Sequence, residues 1–264
     1  LAKFNVKIGY PDKWPDYSGL EVRRGDLAGN TMRAAQFAHN RAVGRLGKPI
    51  DRDEWAMTPQ TVNAYYNSTM NEIVFPAAIL QPPFFTPTAD DAVNYGASGA
   101  VIGHEISHGF DDQGSRSDGE GNLRNWWTEG DLREFGKRTD ALAAQYDRFS
   151  PLPGVNVNGR FTLGENIGDL SGLAVAYKAY KIATRGREVP VIDGFTGDQR
   201  FFLGWGQIWR REYRDADMRQ RILTDPHSPS EFRTNGPLSN FDPFYAAFGV
   251  KPGDKMYLPP GQRV

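Results

Sequence analysis

Small and apolar residues recur at helical spacing through AVNYGASGAVIG, and this run predicts a buried helix over roughly Ala92–Phe110. Upstream, residues 1–20 form a strand-like piece followed by Pro and Gly turns. GDLAGNTMRAAQFAHNRAVGRL then has the pattern of a helix, with Asp26 or Asn30 as its cap. Residues 51–85 alternate β-branched and aromatic clusters with Asn, Ser and Pro, which predicts strands and loops, with an edge strand near Thr61–Tyr66. Beyond Phe110 the turn-rich DDQGSRSDGEGN reads as a loop, too irregular for an EF-hand. A helix follows in WWTEGDLREFGKRTDALAAQYDRFS, capped by Thr128, and another in ENIGDLSGLAVAYKAYKIAT. FTGDQRFFLGWGQIWRREYRDADMRQRILTD opens a further helix whose aromatic stripe reads as core. No repeat, low-complexity tract or internal boundary divides the 264 residues, so residues 1–264 read as one region.

Composition narrows the function classes. Hydrophobic content is 39% and charged content 24%, an ordinary globular balance. Lys plus Arg number 31 against Asp plus Glu 32, which gives no electrostatic reason to expect nucleic acid or an anionic membrane as partner. The absence of cysteine rules out disulfides and restricts any metal site to His and carboxylate ligands. No apolar run approaches the roughly 18 residues of a transmembrane helix. The opening LAKFNVKIGYPDKWPDYSG lacks the pattern of a signal peptide and reads as mid-chain sequence.

Chemistry concentrates in VIGHEISHGFDD. His104 and His108 at i and i+4 share one helix face, so they can grip a single ion, with Glu105 beside them. With four histidines in the chain, this motif arises by accident with a probability of roughly one in a hundred or less. Histidines that merely satisfy hydrogen bonds are a weaker reading, because a buried helix carrying two histidines and a glutamate needs polar partners, and a metal supplies them. A catalytic zinc takes three protein ligands and keeps a fourth position open. GENIGDLSG offers Glu165 to the metal and Asp169, one turn on, to the ring of a ligating histidine. Taken alone, this acidic pair would be read as favouring a helix N-terminus.

VNAYY, HEISHGFDD, ENIGD and DPHSPSEFR, in that order along the chain, resemble the neprilysin and endothelin-converting enzyme family of zinc endopeptidases. The four motifs span about Asn63 to Arg233, and the remaining sequence is similar to the family's catalytic region. The resemblance implies one zinc ion held by His104, His108 and Glu165, with Glu105 activating the attacking water. It implies that Asp169 supports His104 and Asp111 supports His108. Asn63 and Ala64 are expected to grip an extended peptide, Arg233 to bind a substrate carbonyl and His227 to stabilise the transition state. Gly168 stands where the family usually has alanine, a change expected to loosen the helix by up to roughly 1 kcal/mol without touching a ligand. PPGQRV stops a few residues before the family's usual aromatic C-terminus.

These readings converge on a thermolysin-like, gluzincin-type α+β fold, predominantly helical, with a small sheet beside the active-site helix. The expected activity is zinc-dependent hydrolysis of internal peptide bonds in oligopeptides. Family members carry a large N-terminal helical part that closes over the cleft; this chain is expected to be a fragment lacking it, with that missing domain and peptide substrates as its partners. Secretion or cell-surface association is what the resemblance favours, with a cytoplasmic location left open. A zinc-stabilised peptide-binding module without catalysis is the alternative, disfavoured because a closed structural site has no use for Glu105. A metal-dependent hydrolase of non-peptide substrates is weakened by VNAYY, whose extended backbone suits pairing with a peptide.

Overall fold

The computed structural model of the chain describes residues 1–264. Strand β1 (Asn5–Gly9) is followed by helix α1 (Leu27–Val43), whose first turn is capped by Asp26 accepting the Gly29 N–H at 3.0 Å. None of the α1 residues is buried. Strands β2 (Tyr65–Asn67) and β3 (Glu72–Pro76) complete a three-stranded sheet in the order β1-β3-β2, parallel between β1 and β3 and antiparallel between β2 and β3. All five residues of β3 are buried, Glu72 among them, its Oε2 meeting Lys7 Nζ at 2.7 Å. The expected edge strand is present as β2, shifted toward the C-terminus, because Asn63 and Ala64 precede the pairing rather than join it.

The expected helix over Ala92–Phe110 is a continuous helical path of four pieces. Helix α2 (Asp91–Asn94) passes through a π-helical turn (Tyr95–Gly99) into α3 (Ala100–Ser107), which tightens into a 3₁₀ turn (His108–Phe110). Such π turns inside helices recur at functional sites. Helix α4 (Glu129–Tyr146) starts at the expected Thr128, whose Oγ1 accepts the Asp131 N–H while the Asp131 carboxylate accepts the Thr128 N–H. This reciprocal box satisfies two helix-end donors.

Helix α5 (Leu163–Ala183) carries ENIGD in its first turns and crosses α3 closely. The approach depends on paired glycines: a Cβ on Gly103 would sit 2.7 Å from the Gly172 carbonyl, and one on Gly172 would sit 2.5 Å from the His104 nitrogen. The aromatic segment divides into α6 (Gly197–Ile208) and α7 (Asp215–Thr224), separated by the irregular stretch 209–214. Phe201, Phe202 and Trp205 of α6 are buried against Leu173, Ala176 and Tyr180 of α5, so the aromatic stripe is core as expected. Helix α8 (Ser230–Leu238) begins straight after Pro229, and α9 (Asp242–Phe248) ends at Gly249, whose φ of 65° is left-handed. A second core gathers α4, α5 and α8 around Tyr146, Leu163 and Phe232. No helix is long and apolar enough to cross a membrane.

Candidate metal centre and cleft

Helix spacing alone brings His104 of α3 and His108 of the 3₁₀ turn that continues it to one face, where their rings meet edge-to-face with centroids 4.5 Å apart and their Nε2 atoms 3.0 Å apart. Glu165 faces them from the start of α5: its Oε2 lies 3.3 Å from His104 Nε2 and its Oε1 3.7 Å from His108 Nε2. One donor atom from each of the three lies within 4.8 Å of the others, as a shared cation requires. Ligands about 2.0–2.1 Å from a tetrahedral zinc are separated by roughly 3.3 Å. These residues fit that arrangement.

The outer ring nitrogens support the same assignment. His108 Nδ1 is 2.7 Å from Asp111 Oδ2, and Asp111 Oδ1 in turn accepts the N–H groups of Gln113 and Gly114. His104 Nδ1 is 2.9 Å from Asp169 Oδ1, a close but bent approach. A carboxylate beside each Nδ1 favours the tautomer protonated there, which leaves the Nε2 lone pairs to face the metal position. Metal-free, the cluster is strongly coupled. Burial opposes charge on His104, but Asp169 and Glu165 outweigh it and push its pKa up to about 10. Burial likewise works against ionised Glu165, yet His104, Arg233 and His227 hold its carboxyl well below the usual range.

Asp169 is fully buried and does more than face a histidine. Arg233 on α8 donates to both its oxygens, Nε and Nη2 each at 2.7 Å, and the same Nη2 reaches Glu165 at 3.3 Å. The guanidinium lies 4.1 Å over the Trp209 ring. Arg233 is thus held by two carboxylates and an indole, leaving Nη1 without a protein partner.

Glu105 is 5% exposed and accepts no hydrogen bond from the protein. Burial raises its pKa; the positive charge of His104, His108 and Arg233 opposes the rise, while Glu165 adds to it. His227, with 44% of its side chain exposed, points Nε2 at Glu165 Oε2 at 3.2 Å, and its Nδ1 lies 2.7 Å from Asp225. Asp225 is also held by Arg221 at 2.6 Å, which makes it a site neighbour absent from the sequence-based set. Ser228 ties this loop to α5 through Asn166 at 2.8 Å.

All ten sequence-derived positions therefore gather at one place. His104, Glu105, His108, Asp111, Glu165, Asp169, His227 and Arg233 line a single cleft of about 870 Å³, and Asn63 and Ala64 line it beside β2. Gly168 corrects one expectation. A Cβ there would sit 2.7 Å from His104 Nδ1 and 2.8 Å from its Cε1, so this position abuts the ring of a candidate ligand directly.

A sequence profile of peptidase family M13 matches residues 63–264. The chain belongs to peptidase family M13. It is 43% identical over 269 residues to human endothelin-converting enzyme 1, covering 98% of this chain and 34% of that protein. It is 44% identical over 250 residues to Neprilysin-11 of Caenorhabditis elegans, covering 90% of this chain and 30% of that one. Among solved structures, the Mycobacterium tuberculosis zinc metalloprotease Zmp1 in complex with an inhibitor matches with a TM-score of 0.97 at 57% identity, over 100% of this chain and 41% of that one. The mainly helical α+β fold is therefore that of M13 zinc metallopeptidases, and the His-His-Glu cluster is the group that could hold their single zinc ion. The chain spans about a third of the length of the curated relatives it matches.

Proposed function

We propose that this M13 region hydrolyses internal peptide bonds of oligopeptides, with His104, His108 and Glu165 as zinc ligands and Glu105 as general base. The observation that carries the reading is Glu105 itself: a buried carboxylate with no protein hydrogen bond, one residue from a metal ligand and open to the cleft. A carboxylate left unpaired in a buried position is costly, and a closed structural metal site has no need of it.

Bound zinc supplies Lewis-acid chemistry, polarising a substrate carbonyl and lowering the pKa of water. The protein does the rest. The peptide lies extended along the free edge of β2, where Asn63 and the Ala64 backbone pair with it. Glu105 takes the proton of the attacking water at its carboxylate and passes it to the departing amine; its raised pKa suits both halves of that task. His227, oriented by Asp225, directs Nε2–H at the oxygen that gains charge as the carbonyl is attacked. Arg233 uses its unpartnered Nη1 for a substrate carbonyl while Asp169 and Trp209 hold its plane. Residues 1–264 act as one catalytic region, and substrate selection by size belongs to the N-terminal part that longer relatives carry.

The test is hydrolysis of an internally quenched oligopeptide by the zinc-loaded protein. Chelation should abolish cleavage and added zinc restore it. Stoichiometric zinc with no cleavage of any peptide, by this chain alone or fused to the N-terminal part of a longer relative, would favour the non-catalytic binding module.

A further inference from the structure

The charges around the cleft are unevenly satisfied. Five carboxylates line it, and four face a cation or an imidazole: Asp111 meets His108, Asp169 meets His104 and Arg233, Asp225 meets His227 and Arg221, and Glu165 meets all three site histidines and Arg233. The fifth, Glu105, is the buried base. Of the four lining arginines, Arg233 and Arg221 are paired, Arg221 with both Asp217 and Asp225. Arg116 and Arg211 have no carboxylate within ion-pair distance, and both are exposed.

The two unpaired cations stand at different walls, Arg116 on a 3₁₀ turn and Arg211 on the irregular stretch between α6 and α7. Arg211 lies between Trp209, which stacks on Arg233, and Tyr213, whose hydroxyl is 2.7 Å from Ser230 Oγ and accepts the Ser230 N–H. That wall also carries His227. Arg116 closes the 3₁₀ turn Gly114–Arg116, fixed to the His108 side by the Ser115 N–H donating to the Asp111 carbonyl. A peptide lying in the cleft therefore meets, at each of two walls, a guanidinium with no carboxylate partner, that of Arg211 lying 5.8 Å over the Tyr213 ring, and no exposed, unpaired carboxylate. Bound zinc would add further positive charge between them.

We propose that Arg211 and Arg116 make this cleft selective for peptides with acidic side chains near the scissile bond, each arginine reading a different substrate position. The inference rests on the peptidase reading for its substrate class, and on the unpaired arginines for its preference. Guanidinium is suited to it, because its planar fork matches a carboxylate in two parallel hydrogen bonds. Exposed pairs are individually modest, so the expected preference is roughly 2- to 5-fold per arginine.

The experiment uses internally quenched peptides that differ only by Glu or Gln, placed in turn at each position within a few residues of the cleaved bond. For the zinc-loaded protein, kcat/KM should favour Glu over Gln at two or more positions at low salt. The advantage should shrink at about 0.5 M salt, where the screening length falls toward a few ångströms. Arg211→Gln should erase the preference at one position and Arg116→Gln at another, while Arg211→Lys retains part of it. Fluorescence anisotropy of the same peptides on the zinc-free protein gives a readout that needs no turnover, and should show the same ranking. Equal use of Glu and Gln at every position, or a preference that survives both Gln substitutions, would overturn the proposal. If no peptide is cut, the peptidase reading fails, and the anisotropy series still decides the role of the arginines.

Discussion

Arg233 grips both oxygens of Asp169 at 2.7 Å, and Asp169 Oδ1 also faces His104 Nδ1 at 2.9 Å. One buried carboxylate therefore couples a permanent cation on α8 to the His104 ring on α3. Asp169→Asn keeps the shape and removes the charge. Leaving Arg233 buried beside a neutral amide should cost about 3–5 kcal/mol of stability, the range for breaking a buried pair. Zinc affinity should fall about 10- to 100-fold as His104 loses its orienting partner. Denaturant unfolding and zinc titration report the two separately; a variant unchanged in both would reduce Asp169 to an acidic residue at a helix start.

Gly168→Ala sets two effects against each other. Alanine improves helix propensity by roughly 1 kcal/mol, yet its Cβ would press on the His104 ring at 2.7 Å. Because that ring is buried, the strain should appear at the metal: several-fold weaker zinc binding, with metal-free stability little changed or raised. Unaltered zinc affinity would mean that α5 or the ring yields freely at this contact.

The metal-free protein should be pH-sensitive in a defined direction. In the folded state the His104 pKa is raised from 6.5 to about 10. Stability from its protonated contacts with Asp169 and Glu165 is thus fully present below about 6.5, the ordinary value for His, and lost as pH rises toward 10. Thermal unfolding of the zinc-free protein should therefore move to lower temperature across that interval. Zinc must displace the same proton, so its apparent affinity should strengthen over this range. A flat profile for both quantities would show that His104 is neutral in the metal-free fold.

The local parts of the site were legible in the chain. Spacing alone puts His104 beside His108, and Glu165 one turn before Asp169, because a helix has one period. The Thr128 and Asp26 caps and the buried aromatic stripe of α6 followed from equally local rules. What escaped depends on the crossing of elements distant in sequence. The Arg233–Asp169 clamp joins α5 to α8, and neither residue carries a local mark of the other. Gly168 looked like a propensity change because only the α3–α5 approach reveals a ring above it. Helix α8 was hidden by its composition, with Gly236 and Pro237 inside a nine-residue helix. Asp225 is different: it lies two residues before His227 in DPH, and a carboxylate so near a histidine was a readable signal.

The proposed chemistry divides the labour: three residues hold zinc, and Glu105 does the proton transfer. Glu105→Gln tests it most directly, since the amide keeps the shape but cannot accept the proton. Zinc content by elemental analysis and kcat on an internally quenched oligopeptide should be measured on the same preparation. The expected result is one zinc per chain and a loss of about 10²- to 10⁴-fold or more in kcat. Full zinc with near wild-type turnover would contradict it.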